Sequence, residues 1–295
     1  MSGFLRGTGV ALATPFLSDG SIDYQGVTSL VEFCIRGTVD YLVVLGTTAE
    51  SVTLAKEEKK KLIQHIAKVN NKRLPMVIGI GGNNTTAIVK EMTESDLSDF
   101  DAILSVVPMY NRPTQSGLYQ HYKTINENTP LPVLLYNVPS RTGTNMTAET
   151  TLSLAKLENI VGIKEATGDF TQVLRILKDR PEGFLVISGD DSLALPAVSA
   201  GGDGVISVIG QGFPEEFSAM IRLGLQGESD KAYKILFDLM PAIEYAFAEG
   251  NPAGIKSILK AKGVCQDYLR LPLVPVSNKL SEKIKSFVQE QSVTL

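Results

Sequence analysis

Tryptophan is absent, histidine and cysteine occur twice each, and aromatic side chains make up only 7% of the 295 residues. The cysteines, Cys34 and Cys265, and the histidines, His65 and His121, are too scattered for metal-ligand spacing or a disulfide framework. No metal site is therefore expected, and a reducing compartment is. A continuous apolar run of ~18 residues is missing, as is an N-terminal basic segment leading into an apolar stretch, so neither a membrane span nor a secretory leader is expected. Nor is there a basic block. With 28 Lys and Arg against 32 Asp and Glu, the net charge of −4 argues against a nucleic-acid partner. The chain also lacks a Walker A sequence, a His-Glu-x-x-His pair and a Gly-x-Ser-x-Gly elbow, which leaves those three chemistries without support. A soluble, cytoplasmic protein is the expectation.

What is present is ordinary in bulk, 43% hydrophobic and 20% charged. A chain this long buries roughly 75% of its unfolded surface and needs no covalent staple. Short runs rich in Val, Ile and Leu recur at Val10–Ala13, Tyr41–Leu45, Met76–Ile80, Ala102–Val107, Val133–Tyr136, Ile160–Lys164, Phe184–Ser188 and Gly204–Val208. Such runs read as strands buried on both faces. Between them apolar residues fall at helical spacing, as in Leu30, Val31, Phe33 and Cys34, or Leu62, Ile63, Ile66 and Val69. Thr53, ahead of Lys56-Glu57-Glu58, and Thr147, ahead of Ala148-Glu149, read as helix starts.

This alternation predicts an α/β fold, a (β/α)8 TIM barrel, with an open doubly wound sheet as the rival that alternation alone does not exclude. Past Gly227 the strands stop. Helices are predicted over Asp230–Phe247, Pro252–Gly263 and Asn278–Gln291, giving a catalytic barrel over 1–227 and a C-terminal helical appendage over 228–295. Pro241 should kink or end the first of these helices.

Lys164 is the sharpest single feature. Alternation through Ile160-Val161-Gly162-Ile163-Lys164 puts Ile160, Gly162 and Lys164 on the inner face and turns Val161 and Ile163 toward the helices. Lys164 then points into the barrel at its C-terminal rim, where the catalytic residues of such barrels sit. There its amine is either a Schiff-base nucleophile, activated by a low-dielectric pocket, or the tip of a stem lying along apolar surface. Tyr136, on the same parity, is either a proton carrier or a packed aromatic. Thr47 and Thr48 after the second strand, and Tyr110 after the fourth, share the rim, so that a threonine hydroxyl can link two phenols. Arg141 is either a clamp for a substrate carboxylate or a loop cation.

The remaining candidates are weaker. Gly79-Ile80-Gly81-Gly82 lacks the third glycine of a dinucleotide fingerprint. Gly201-Gly202-Asp203-Gly204 reads as a tight turn before an anion nest. His65 and His121 read as structural, and Lys56–Lys61 as a solvated helix face.

Taken in order, five segments carry a family resemblance: Gly46-Thr47-Thr48-Ala49-Glu50-Ser51, Pro108-Met109-Tyr110-Asn111-Arg112-Pro113, Tyr136-Asn137-Val138-Pro139-Ser140-Arg141-Thr142-Gly143, Gly162-Ile163-Lys164-Glu165-Ala166-Thr167 and Ser188-Gly189-Asp190-Asp191. From about Gly7 to Pro275 the chain resembles the pyruvate-dependent class I aldolases, the family that includes dihydrodipicolinate synthase and N-acetylneuraminate lyase. The resemblance implies that Lys164 forms the Schiff base with pyruvate and that Tyr136, Thr47 and Tyr110 relay protons, Tyr110 acting in a neighbouring subunit. It further implies that Thr48 and the backbone at Ile206 contact pyruvate, and that Arg141 takes the carboxylate of L-aspartate 4-semialdehyde. No cofactor or metal is implied beyond the covalent bond to substrate, and a homotetramer is. The Pro-Ser-Arg-Thr-Gly context favours the synthase branch over sugar-acid lyases, whose polyol substrates want neutral partners. A non-catalytic metabolite-binding member is the further alternative, and the joint presence of Lys164, Tyr136, Thr47 and Tyr110 argues against it. Ala49 stands where the family often has glycine, a change expected to be tolerated if the backbone there is not left-handed.

Overall fold

The computed structural model describes residues 3–294, with side chains to residue 291. Eight parallel strands close into a barrel: β1 (Gly7–Ala11), β2 (Tyr41–Val44), β3 (Met76–Gly79), β4 (Ala102–Val106), β5 (Val133–Asn137), β6 (Ile160–Glu165), β7 (Leu185–Ser188) and β8 (Gly204–Ser207). Pairing of β1 with β8 through Gly7–Gly204 to Val10–Ser207 closes the ring and decides against the open sheet. Strand β1 starts earlier than its apolar run suggests, because Gly7, Thr8 and Gly9 pair by backbone alone. Around the barrel lie α1 (Tyr24–Arg36), α2 (Lys56–Asn70), α3 (Thr85–Glu94), α4 (Gln115–Asn128), α5 (Pro139–Thr142), α6 (Ala148–Leu154), α7 (Phe170–Asp179), α8 (Ala194–Ser199) and α9 (Pro214–Leu225). Three more helices follow, α10 (Ser229–Ala248), α11 (Ala253–Ala261) and α12 (Asn278–Thr294).

Strand alternation sorts the apolar residues into two layers. Ile103, Leu135, Ile163, Val186 and Val205 face outward into the core shared with the helices. Leu104, Leu134, Tyr136, Leu185, Ile187 and Ile206 fill the barrel itself. Side-chain caps start several helices: Asp23 accepts from Gly26 N, Asn84 from Ala87 N, Thr114 from Gly117 N and Thr147 from Thr150 N.

Two expectations need correction, and a third, for Pro241, is narrowed. Helix α2 starts not at Thr53 but after Ala55, whose N–H donates to the Glu58 carboxylate at 2.8 Å; the Thr53 hydroxyl closes the preceding turn on Glu50 O. Pro241 does not end α10, which runs through it. The carbonyl deprived of its partner there belongs to Phe237, an exposed residue. In β6 the parity of the first two residues is reversed, Ile160 lying in the outer layer and Val161 in the inner. The cause is a register shift: Val133 pairs with Ile160 but Leu134 with Gly162, leaving Val161 as a bulge. Beyond it Gly162 and Lys164 face inward as predicted, and the shift sets Lys164 directly opposite Tyr136.

Candidate active site

A cavity of ≈ 460 Å³ opens at the C-terminal end of the barrel, and Thr47, Thr48, Tyr136, Arg141 and Lys164 all line it. Lys164 and Tyr136 sit on its floor, 5% and 7% exposed, because each is the last inward-facing residue of its strand. Lys164 Nζ lies 4.4 Å from the Tyr136 ring centre and has neither a hydrogen bond nor an ion pair among the described residues. Gly189 leaves room for its stem, since a Cβ there would stand 3.0 Å from Lys164 Cε. The chemistry open to this floor is that of a buried primary amine with a phenol beside it, facing the cavity.

The rim is built from three directions. After β2, the turn from Thr47 to Ala49 is a single 3-10 turn, with Thr48 buried and Thr47 exposed. Its left-handed residue is Glu50, not Ala49, which is why alanine fits where the family often has glycine. After β5, Pro139 starts the one-turn helix α5 and sets Ser140 and Arg141 on the cavity wall. Arg141 Nη2 donates to Asn251 O at 3.2 Å, and the guanidinium meets no carboxylate among the described residues. The third direction is the C-terminal segment: Met240, Ile243, Glu244 and Phe247 of α10, with Asn251, cover the mouth. Asn251 Nδ2 donates to Thr48 Oγ1 at 3.0 Å.

Two predicted residues do not line the cavity with their side chains. Ile206 packs its side chain in the filled layer of the barrel, and Val208, on the same parity, lines the cavity. Tyr110 is 91% exposed, on a backbone held at φ 67° whose N–H donates to Thr142 O. Within one chain it does not line the cavity. The residues that sequence reasoning did not single out are Asn251, Glu244, Phe247 and Ser192. Only the Gly250-Asn251-Pro252 break between two helices carried any signal for them.

Behind the site sit two buried carboxylates. Glu165, next to Lys164 but on the outer face, accepts from Asn137 Nδ2 at 2.9 Å and Gln172 Nε2 at 3.0 Å. Burial pushes its pKa up to about 7, the amide donors opposing. Asp191 accepts from the Ser207 hydroxyl and from Val208 and Ile209 N–H, fixing the turn after β8, and burial raises it to about 6.

The weaker candidates resolve as structure. In Gly201-Gly202-Asp203 every N–H is spent on the backbone, on Val198 O, Ala197 O and Val186 O, so no anion nest remains. His65 bonds Thr28 and His121 bonds Thr85, each at 2.8 Å between helices. Among the described residues no helix is long and apolar enough to cross a membrane.

Residues 4–291 match the dihydrodipicolinate synthetase family. The chain belongs to this family. It is 53% identical over 287 residues to a 4-hydroxy-tetrahydrodipicolinate synthase of Flavobacterium psychrophilum, an alignment covering 97% of this chain and 98% of the relative. Among solved structures it superposes on the dihydrodipicolinate synthase of Thermotoga maritima with TM-score 0.95 at 37% identity, covering 98% of this chain and 99% of that one. The Acinetobacter baumannii dihydrodipicolinate synthase, solved in complex with pyruvate, gives TM-score 0.94 at 36% identity with coverage of 98% and 99%. Family membership and the fold thus agree with the expectation drawn from the five motif segments.

Proposed function

We propose that the protein is a 4-hydroxy-tetrahydrodipicolinate synthase, a Schiff-base lyase that condenses pyruvate with L-aspartate 4-semialdehyde on the diaminopimelate route to L-lysine. The observation that carries this reading is Lys164, a buried amine with no ion-pair partner among the described residues, on the floor of a ≈ 460 Å³ cavity that Tyr136 and Arg141 also line.

The amine of Lys164 adds to the ketone of pyruvate and expels water, leaving an iminium. That cation is an electron sink, so a methyl proton is lost and the resulting enamine carbon attacks the aldehyde. The amino group of the adduct then closes the ring on the iminium carbon and displaces Lys164. Each step moves a proton, and Tyr136, Thr47 and Tyr110 supply the path. Thr48 and the backbone at Ile206 hold pyruvate. Arg141, which meets no carboxylate among the described residues, receives the aldehyde's carboxylate, a demand that a polyol substrate does not make. The iminium does the work of an electron-withdrawing cofactor, so the scheme needs no metal or diffusible group.

Because Tyr110 projects from the protein at 91% exposure, the relay is completed by a second copy of the chain, and a homotetramer acting in the cytoplasm is part of the proposal. The test is a coupled assay with pyruvate and L-aspartate 4-semialdehyde beside N-acetylneuraminate cleavage, with borohydride trapping. Turnover of the first pair and one reduced pyruvate on Lys164 are expected. Cleavage of the sugar acid alone, or labelling at another lysine, would overturn the reading.

A further inference from the structure

The turn that carries Thr47 and Thr48 is held at both ends in a conformation that side chains other than glycine disfavour: Leu45 at φ 57° and Glu50 at φ 53°. Such a turn persists only where its surroundings over-determine it. The Glu50 side chain does not reach solvent. Its Oε1 accepts from Lys256 Nζ at 2.5 Å and its Oε2 from Arg270 N at 3.0 Å. Lys256 is fully buried, donates also to Tyr268 O at 2.8 Å, and lies 4.2 Å from the Phe16 ring centre. Burial pulls its amine down while Glu50 holds it up. Neither residue lines the cavity.

A buried ion pair is a poor way to stabilise a fold, because an apolar pair of similar volume often does as well or better. This one sits where accuracy matters. It joins the end of the threonine turn to α11, and the segment leading into α11 reaches the same wall a second time through Asn251. That residue bonds Thr48 Oγ1 with its side chain and Arg141 Nη2 with its carbonyl. Since the Asn251 amide donates to Thr48, the threonine's own proton is free to point elsewhere, toward a bound anion.

We propose that Glu50 and Lys256 are positioning residues: their ion pair fastens the left-handed end of the Thr47–Thr48 turn to the C-terminal helices, so that the threonine hydroxyls present to pyruvate. The proposal rests on the pyruvate reading of the cavity. The test uses the full-length protein as Glu50→Gln, Lys256→Met and the double variant, with KM for each substrate, kcat and the thermal midpoint measured for all. An amide offers one acceptor oxygen where the carboxylate offers two, so Glu50→Gln releases either Lys256 or Arg270 N–H.

The expected result is a rise of about tenfold or more in KM for pyruvate, with KM for the aldehyde within about threefold of wild type. Lys256→Met should lower the thermal midpoint, since it leaves a buried carboxylate without its cation and with only the Arg270 N–H as donor. The double variant should regain the midpoint yet keep the raised KM for pyruvate. That separation is what a purely structural pair would not produce. A folded variant with wild-type KM for pyruvate overturns the proposal, and so does failure of all three to fold, which would assign the pair to the fold alone. Inactive wild-type protein would instead sink the proposed function.

Discussion

Tyr136 and Lys164 are register partners on neighbouring strands, and Lys164 Nζ stands 4.4 Å from the centre of the Tyr136 ring. Their juxtaposition depends on the Val161 bulge, without which the pairing would slip by one residue and turn one of the two side chains out of the barrel. It also depends on Gly189. A Cβ on that residue would lie 2.7 Å from Ala166 Cβ, and 3.0 and 3.1 Å from Cε and Cγ of Lys164. Gly189→Ala should therefore displace the lysine stem while leaving the fold largely intact, at a strain cost of about 1–3 kcal/mol. Borohydride-trapped pyruvate, counted by intact mass, should fall by about tenfold or more in rate. A near-native trapping rate would show that the stem has room to spare.

Arg141→Ala should damage use of the aldehyde more than formation of the Schiff base. A charge-assisted bidentate pair contributes roughly 1.5–3 kcal/mol, so kcat/KM for L-aspartate 4-semialdehyde should drop about ten- to a hundredfold. Trapping by pyruvate is the control. If it falls as far as turnover does, Arg141 serves the first substrate or the wall of the cavity, not the second substrate.

Tyr110 should act in trans. Tyr110→Phe removes only a hydroxyl, and Lys164→Ala removes the nucleophile; each variant alone should be nearly inactive. Mixed and re-associated, they should recover part of the activity, because one site of the hybrid pairs an intact lysine with its neighbour's intact tyrosine. Hybrids shown by mass to form, yet no more active than their parents, would place the relay within one chain.

Stability should fall as pH rises toward neutrality. The native state keeps a proton on Glu165 up to about 7, whereas the unfolded chain releases it near 4.5. A raised pKa of this kind contributes stability that is complete below the unfolded value and is lost as pH climbs through the folded one. Asp191, raised to about 6 from 3.8, acts in the same direction over a lower window. Glu58 opposes them at the acid end, since the Arg270 pair holds it at about 2. Thermal midpoints between about pH 5 and 8 should decline in the wild type and decline less in Glu165→Gln. Equal slopes in the two proteins would exclude Glu165 as the source.

Feedback inhibition by L-lysine should be weak or absent. In regulated relatives the effector is expected at the subunit interface beside the tyrosine pair, among acidic and other polar groups. The matching region here keeps Ser51 and Asn83, but it carries Lys56 and Lys59, alanine at 87 and methionine at 109. Lys56 and Ala87 are both exposed, so position 56 presents a like charge and position 87 offers no anionic side chain to a cationic ligand. Loss of one charged contact, on the order of 2 kcal/mol, lowers affinity about thirtyfold. Half-inhibition at submillimolar L-lysine in a steady-state titration would show that the site works regardless.

The strands and their order were legible in the sequence because a parallel sheet buried on both faces has to be apolar over runs of four to six residues. The inward aim of Lys164 and Tyr136 was legible for a related reason: parity along a strand is a local rule, and it holds on the rim side of the bulge. Local rules fail where a distant segment decides. The reversed parity of Ile160 and Val161 is set by how β6 pairs with β5, and closure of the ring is set by β1 meeting β8. The C-terminal helices were visible as helices, yet nothing periodic in α10 or at Asn251 announces that they roof the cavity. Asn251 lies 203 residues from Thr48, and Lys256 lies 206 from Glu50. Sequence alone therefore determined the barrel's strands and the amine on its floor, since burial and alternation act between near neighbours. Tertiary structure alone decided the roof, the rim's support and the exposure of Tyr110, because contacts across some two hundred residues obey the geometry of the closed barrel and leave no period in the chain.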